Sequence, residues 1–246
     1  MQPTDIHAGK AATAILCGKA IPWGENNPAF VRETAASILA ELGQCSKNVC
    51  YLDLPKAGKA WQGSVREHPN QSPYPSSTSG DAIILQEPGQ AVALVTRDCL
   101  TGVIESPDGI VGVFHGSRET LAHGSDGLTM VCRTLEKMGY SLGSREARGW
   151  RAHLMAGICG HHFLHDLTHP QVHHYMIHGG LGAIIQKSDQ VGISLSHAVR
   201  HILAERGFGE RKVTTDRHCT FSDNRLGSKR RDQEGGSHNL VIVVKR

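Results

Sequence analysis

Hydrophobic residues follow a helical period in three parts of the chain and form short β-branched runs elsewhere. The clearest helical pattern extends from about Pro28 to Leu42, because proline occupies the first turn, apolar residues recur every three or four positions and Gly43 follows as a stop. The same spacing predicts a helix around residues 128–135, closed near Gly139, and another around residues 195–203. The predicted strands are Val49–Leu54, Ala82–Leu85, Ala91–Thr96, His153–Ile158, Val213–Thr215 and Leu240–Val244.

The segment from residue 55 to residue 80 follows neither pattern. It is rich in lysine, glycine, proline, serine and glutamine, which predicts a long surface loop. Elsewhere, hairpins alternate with a few helices, a pattern typical of an α+β fold in which helices pack on a mainly antiparallel sheet. No linker-like segment divides the chain, so a single domain over residues 1–246 is predicted.

One predicted hairpin carries the most informative residues. Its strands, Leu100–Ile104 and Ile110–Phe114, are rich in β-branched residues. The Pro-Asp-Gly sequence at 107–109 suits a type I turn followed by a glycine in the left-handed region. Cys99 comes directly before the first strand and His115 directly after the second, so both lie at the open end of the hairpin.

The register of this hairpin decides whether the thiol and the imidazole meet. With a bulge at Gly109, Cys99 lies opposite Ser117, and His115 is its diagonal neighbour on the same face. A plain two-residue turn would shift the pairing by one residue and send the two side chains to opposite faces. Because Gly109 favours the bulged turn, the sequence predicts that the two groups lie within reach of each other.

Composition sets limits on the function without identifying it. The 246 residues carry a net charge of only +3, which does not predict binding to nucleic acid or to a membrane surface. No apolar run approaches the roughly 20 residues of a membrane span. The N-terminus lacks a signal-peptide pattern, so a cytoplasmic protein is expected. The 7 cysteines have no framework spacing, which favours reduced thiols over disulfides.

Cys99 and His115 support two kinds of chemistry. A histidine beside a cysteine stabilises the thiolate, which is the nucleophilic form. The same two groups are good zinc ligands, although a catalytic zinc site normally has three protein ligands and a water molecule. A buried core cysteine beside an incidental histidine is the non-functional alternative, which the polar neighbours Asp98 and Arg118 make less favourable.

Histidines are concentrated between His161 and His178, where 7 of the 16 in the chain occur. Spacings of four residues, as between His174 and His178, place two imidazoles on one face of a helix, but Pro170 would interrupt a continuous helix. The segment is therefore interpreted as a solvated loop that binds metals adventitiously. The alternative is that one of its histidines reaches the Cys99 site.

A basic run, formed by Arg225, Lys229, Arg230 and Arg231, comes just before the last predicted strand. Such a run is usually a solvated face, but arginines close to a thiolate or a zinc site would bind a phosphate or another oxyanion. The chain contains no Walker loop, dinucleotide-binding fingerprint, Gly-x-Ser-x-Gly elbow or CxxC pair, which excludes several common enzyme classes.

A series of short motifs resembles the laccase-domain family, also called multicopper polyphenol oxidase-like. The family's patterns are approximately ADA, TADCLPV, HAGWRG, GPxIG, CTYS and SYRRD. The corresponding residues, in the same order, are Gly80-Asp81-Ala82, Thr96–Leu100, His115–Arg118, Gly157–Gly160, Cys219–Ser222 and Ser228–Asp232. The order and number of these motifs make the resemblance specific to this family.

The resemblance implies a layered α/β/β/α fold, shared with the cytotoxic necrotizing factor deamidases, which use a Cys–His pair. It also implies a zinc site of two histidines and one cysteine, and a small-molecule substrate, since family members are described as purine nucleoside phosphorylases with adenosine deaminase activity and as peptidoglycan-editing hydrolases. By position, Cys99 and His115 would be two zinc ligands, and Arg118 and Arg230 would line the pocket.

Two departures from the family pattern bear on this site. The family's first zinc histidine lies in a QVHG motif, whereas the corresponding residues here, Pro55–Gly58, contain no histidine. The third ligand would then come from His68 or from the 161–178 segment. The glutamate that follows GPxIG in the family is also missing from Phe163–His165.

Three hypotheses follow from these observations. In the first, zinc is retained and the enzyme phosphorolyses or deaminates a purine nucleoside. In the second, the enzyme is a metal-free hydrolase, deamidase or acyl transferase with Cys99 as nucleophile and His115 as base. In the third, the chain is a non-catalytic relative with a binding or pathway role. The sequence does not predict an oligomeric state.

Overall fold

The computed structural model describes residues 2–25, 27–44, 48–54, 64–69, 77–124, 126–141, 147 and 149–246. Five α-helices lie in these ranges: α1 (Pro28–Glu41), α2 (Met130–Lys137), α3 (Pro170–His178), α4 (Leu195–Glu205) and α5 (Lys229–Asp232). None of the described helices has the length and apolar character needed to cross a membrane. The strands are β1 (Asp5–Ala8), β2 (Ala12–Ile21), β3 (Asn48–Asp53), β4 (Val65–Glu67), β5 (Ser77–Ser79), β6 (Ala82–Leu85), β7 (Gln90–Thr96), β8 (Leu100–Glu105), β9 (Val111–Gly116), β10 (Arg151–Met155), β11 (Leu164–Asp166), β12 (Ile184–Lys187), β13 (Gln190–Ile193), β14 (Val213–Thr215) and β15 (His238–Lys245).

The strands form three sheets. The first sheet has the order β1-β2-β15-β7-β3-β5, the second β14-β10-β8-β9-β6-β4, and the small third sheet β11-β13-β12. Most neighbouring strands are antiparallel; the parallel pairs are β3–β7, β3–β5, β10–β14 and β4–β6. This arrangement confirms the predicted α+β class with mainly antiparallel sheets.

The first and second sheets pack face to face. The core between them contains Leu16 and Val241 from the first sheet and Ile83 and Val113 from the second, all fully buried. Burial of aliphatic side chains at such an interface is the main stabilising contribution to a sandwich of this kind. Both sheets therefore have one inner face and one outer face that a helix can cover.

Helices cover both outer faces and complete the four layers. On the first sheet, α1 buries Val31 and Ile38. On the second sheet, α2 and α4 contribute Leu135 and Val199 to a core that also includes Phe114 of β9. The α/β/β/α order that the resemblance implies is thus the order observed.

The hairpin has the predicted register. Leu100 pairs with Gly116 and Thr101 pairs with His115, as the bulged turn requires. Gly109 adopts a φ of 82°, in the left-handed region, and its N–H donates to the Ser106 carbonyl over 3.1 Å. The turn residues therefore set the relative position of Cys99 and His115.

Several sequence predictions need correction. The strand predicted at 153–158 covers Arg151–Met155 instead. The region 55–80 contains the short strands β4 and β5, while residues 55–63 and 70–76 lie outside the described ranges. Strands β1 and β2 were not predicted, because nearly every residue of β2 is buried and its sequence shows no alternation.

The histidine-rich segment is not the loop that the sequence suggested. Its residues form β11 and α3, and Pro170 occupies the first turn of α3 instead of interrupting a helix. Proline is tolerated there because its missing N–H would have no intrahelical partner. The ring of His169 caps this helix by accepting a hydrogen bond from the Gln171 N–H over 3.2 Å.

A substitution at Gly102 tests the packing beside the hairpin. A Cβ at this position would lie 2.0 Å from the ring of Phe114, which is fully buried and cannot move away. We expect Gly102→Ala to lower the free energy of unfolding by about 1–3 kcal/mol through overpacking. Urea unfolding measures this change.

Gly209→Ala is the matched control, because its Cβ would meet only the Lys212 side chain, at 3.9 Å. Equal stability of the Gly102→Ala variant and the wild-type protein would contradict the close packing of Gly102 against Phe114.

Candidate functional site

Cys99, His115 and Asp81 meet at one end of the second sheet. Cys99 lies in the short connection between β7 and β8, His115 is near the end of β9, and Asp81 directly precedes β6. Because β9 pairs with both β8 and β6, the sheet brings these chain-distant residues together. The His115 N–H donates to the Asp81 carbonyl over 2.7 Å, which continues the β6–β9 pairing by one residue.

The three side chains form a line with the imidazole in the centre. The His115 Nδ1 atom lies 3.5 Å from the Asp81 Oδ1 atom, and the Asp81 side chain is only 2% exposed. Cys99 adjoins the same ring closely enough to raise the pKa of His115. A thiol, an imidazole and an orienting carboxylate in this order are the usual parts of an activated cysteine nucleophile.

The charge on His115 follows from its neighbours. Burial of the ring disfavours the positive charge and by itself lowers the pKa of His115. The negative charge of the Cys99 thiolate and the contact with Asp81 outweigh burial and raise the pKa of His115 to about 9. At neutral pH the ring therefore holds a proton beside the sulfur atom.

Cys99 opens into a cavity of about 460 Å³. Two arginines, Arg118 and Arg230, line this cavity together with Lys229, and the Phe163 ring provides an aromatic wall. Asp98 and Glu119 also reach it, but three cationic side chains face two carboxylates. The cavity therefore suits a ligand that carries negative charge.

Arg230 is positioned by contacts on two sides. Its backbone N–H donates to the Asp98 Oδ2 atom over 2.9 Å, and its guanidinium carbon lies 5.2 Å from the centre of the Phe163 ring. The other oxygen of Asp98 accepts a hydrogen bond from the Thr220 hydroxyl over 2.7 Å. The basic run predicted at 225–231 thus includes two residues that line the cavity beside Cys99, namely Lys229 and Arg230.

Arg118 is held by the histidine-rich segment. Its Nη1 donates to His165 Nδ1 over 3.1 Å, and the Tyr175 hydroxyl donates to the Arg118 carbonyl over 2.9 Å. Burial, reinforced by the positive charges of Arg118 and Arg230, lowers the pKa of His165 to about 4. His165 is therefore a neutral acceptor for Arg118.

The structure does not bring His68 to Cys99. His68 is buried, and its Nε2 lies 3.2 Å from the carbonyl oxygen of Ala91, near the start of β7. Cys99 follows the far end of that strand, which lies about 16 Å away at the usual rise per strand residue. The hypothesis that His68 is the third metal ligand at Cys99 is therefore wrong.

Two other clusters contain three possible metal ligands each. His123, His174 and His178 form one at the surface, and a half-buried one contains Cys159, His162 and Cys219. Neither includes Cys99 or His115, and no third histidine, cysteine or carboxylate completes a ligand set with that pair among the described residues. A two-ligand site does not fit the three protein ligands expected of catalytic zinc.

Sequence reasoning did not assign a role to Asp81 or to the half-buried cluster. Asp81 lies in a motif quoted above, but its proximity to His115 depends on the pairing of β6 with β9. The members of the cluster are separated by up to 60 residues, and only the neighbouring positions of β10 and β14 bring them together. The spacing of residues along the chain gives no signal for such contacts.

The comparisons with known proteins agree on the fold. A family model described as multi-copper polyphenol oxidoreductase laccase matches residues 24–245. The crystal structure of the Bacillus licheniformis hypothetical protein YfiH is similar, with a TM-score of 0.74, 15% identity and coverage of 96% of this chain and 93% of that one. No curated protein matches the chain significantly.

Two further crystal structures share the architecture. YlmD from Geobacillus stearothermophilus has a TM-score of 0.72 and 16% identity, and the match covers 96% of this chain and 93% of that one. The Neisseria meningitidis protein NMB0706 has a TM-score of 0.72 and 18% identity, with coverage of 100% and 99%. At these identities the likeness establishes the fold alone.

The coupling between Cys99 and His115 can be measured by NMR titration. We expect His115 to titrate at about 9 in the wild-type protein. Its pKa should fall in Cys99→Ser, because the negative charge beside the ring is lost. His153, whose pKa burial lowers to about 3, is an internal control that should not change. If the pKa of His115 were unchanged in Cys99→Ser, the Cys99 thiolate would not be the cause of the raised pKa.

Proposed function

Because the chain belongs to the multi-copper polyphenol oxidoreductase laccase family, we propose that it is an enzyme in which Cys99 is the nucleophile and His115 its proton partner. The observation that carries this proposal is the line of Cys99, His115 and Asp81 beside a cationic cavity. The proposed reaction class is hydrolysis, deamidation or acyl transfer on a small anionic molecule.

The proposed reaction has two stages. The Cys99 thiolate attacks a carbonyl carbon of the substrate, the bond to the leaving group breaks, and the leaving group takes the proton held by the His115 imidazolium. Water or another acceptor then attacks the thioester, its proton returns to His115, and the thiolate is released. Asp81 is a positioning residue, because it contacts the ring and not the reacting atoms.

The arginines support the assignment of an anionic substrate. Guanidinium groups donate paired hydrogen bonds that match the geometry of carboxylates and phosphates. Arg230 presents such a group to the same cavity as the Cys99 sulfur, and Arg118, which forms a salt bridge with Glu119 over 2.8 Å, also lines it. A carboxylate or phosphate bound there would place the remainder of the substrate near the nucleophile.

A second candidate function is phosphorolysis or deamination of a purine nucleoside. Two features of the cavity favour it, namely arginines for a phosphate and the aromatic Phe163 for a base. In the family, zinc would activate the water or phosphate. The described residues offer only two zinc ligands at this position, Cys99 and His115, whereas a catalytic zinc ion needs three protein ligands. No reaction step is therefore assigned to zinc there.

We also propose that residues 1–246 act as one domain in the cytoplasm. The first sheet supports the single domain, since β15 lies between β2 and β7 and joins distant parts of the chain. The cysteines that the structure describes, Cys17, Cys50, Cys99, Cys132, Cys159 and Cys219, are all free. Free thiols are typical of a reducing compartment.

Alkylation with iodoacetamide tests the nucleophile. We expect Cys99 to react faster than the buried Cys17 and Cys50 at neutral pH, and its rate to fall about tenfold or more in His115→Gln, because the imidazolium stabilises the thiolate. Peptide mass mapping measures the site and the rate. Cys17 and Cys50 are internal controls, since burial raises the pKa of each to about 11.

The same assay separates the two candidate states of the site. Reaction of Cys99 without chelator supports a free nucleophile. Reaction only after chelator treatment would instead support a metal at Cys99, and slow reaction in both conditions would contradict both functions. For Asp81→Asn we expect a smaller decrease in rate and a pH profile shifted toward lower pH, because the pKa of His115 falls.

Inorganic phosphate probes the cationic cavity without a known substrate. We expect phosphate to protect Cys99 from alkylation in the wild-type protein. In Arg118→Gln and Arg230→Gln the phosphate concentration needed should rise about tenfold or more, because a charge-assisted hydrogen bond is lost. Arg211→Gln, an exposed arginine outside this cavity, is the control. Equal protection in all variants would contradict anion binding beside Cys99.

A substrate screen decides between the two candidate functions. Adenosine and inosine are incubated with phosphate, and the products are separated by chromatography. Release of a free base or of inosine, abolished in Cys99→Ala, would establish the nucleoside function. The acyl-transfer proposal expects no such products, but a covalent adduct on Cys99 with a suitable anionic carbonyl compound.

A further inference from the structure

Cys159 and Cys219 lie in two segments that extend from neighbouring strands of the second sheet. Cys159 follows β10 and Cys219 follows β14, each four residues beyond the last residue of its strand. These two strands are parallel neighbours, with Leu154 opposite Thr215, so their carboxyl ends meet at the same edge of the sheet. His162 lies in the turn after Cys159, where its N–H donates to the Cys159 carbonyl over 3.0 Å.

The distances in this cluster match those between ligands of one metal ion. The His162 Nδ1 atom lies 3.1 Å from the Cys159 sulfur and 3.6 Å from the Cys219 sulfur. All three ligand atoms lie within 4.8 Å of one another. In a tetrahedral zinc site, metal–ligand distances of about 2.3 Å for sulfur and about 2.0 Å for nitrogen place such atoms roughly 3.5 Å apart.

Neighbouring groups hold these ligands in position. The Cys159 N–H donates to the Cys219 sulfur over 3.2 Å, and the His162 ring stacks on Phe221 with the ring centres 4.5 Å apart. Contacts of this kind orient ligands before the metal binds. The three residues are half-buried, so an ion can enter from solvent and the sulfur atoms remain partly shielded.

The donor set favours zinc. Two thiolates and one imidazole are soft and borderline ligands, which prefer Zn²⁺ to Mg²⁺ or Ca²⁺. The other cluster, His123, His174 and His178, contains only imidazoles and has two exposed members. It shares no residue with the Cys159, His162 and Cys219 cluster and is a useful control.

We propose that Cys159, His162 and Cys219 bind one zinc ion, with the fourth position open to water. The ion would join the segment after β10 to the segment after β14. Both segments hold Asp98, since the Ile158 N–H donates to the Asp98 carbonyl over 3.0 Å and the Thr220 hydroxyl donates to its carboxylate over 2.7 Å. The ion would therefore support the backbone beside Cys99 without contacting the substrate.

Metal analysis of the full chain, produced without a histidine tag and without chelators, tests this proposal. We expect about one zinc per chain in the wild-type protein, and an affinity at least about tenfold lower in Cys219→Ser and in His162→Gln. Zinc competition with a chromogenic chelator measures the affinity. Cys99→Ser and His174→Ala are the matched controls and should bind zinc as the wild-type protein does.

A spectroscopic measurement identifies the ligand atoms directly. Cobalt added to the metal-free wild-type protein should give a sulfur-to-cobalt charge-transfer band, also present in Cys99→Ser and absent in Cys219→Ser. Zinc lost in Cys99→Ser or in His174→Ala, but retained in Cys219→Ser, would overturn the proposal. A protein without zinc affinity, or one with a Cys159–Cys219 disulfide in mass spectrometry, would also overturn it.

Discussion

The buried carboxylate of Asp98 connects the segments that form the cavity. One oxygen accepts from the Thr220 hydroxyl and the other from the Arg230 N–H, while the Asp98 carbonyl accepts from Ile158. Hydrogen bonds to a charged group contribute about 1.5–3 kcal/mol each, and a buried carboxylate without them would be strongly destabilising. Since Cys99 is the next residue, the position of its sulfur depends on these contacts as well as on the register of the β8–β9 hairpin.

The site combines rigid and polar elements in a way that suits thiol chemistry. The pairing of β9 with β8 and β6 fixes the backbone of His115 and of the residues next to Cys99 and Asp81, so the three groups are positioned before a substrate binds. The arginines come from outside the sheet and are oriented by neighbours, Arg118 by His165 and Arg230 by Phe163. The sheets set the geometry of the site, whereas the positive charge comes from the loop after β9 and from α5.

Local chemistry explains which features the sequence could predict. The hairpin register followed from Gly109, and α1 from its apolar spacing and Pro28, because both signals lie within a few residues. Strand β2 was not predicted because burial on both faces removes the alternation of polar and apolar residues. Helix α3 was not predicted because a proline normally interrupts a helix, and the sequence alone did not show that Pro170 occupies the first turn. The pairing of β10 with β14, which joins Cys159 to Cys219, depends on packing between distant segments and leaves no local trace.

The place of β15 in the first sheet has a consequence for synthesis of the protein on the ribosome. This strand is the last along the chain, yet it lies between β2 and β7, and it pairs with both. Until residues 238–245 leave the exit tunnel, β2 and β7 each expose an edge of unpaired backbone groups, which favours association with other chains. The first sheet can therefore close only after residues 238–245 have emerged, and a nascent chain stalled before that point leaves both edges open to other chains.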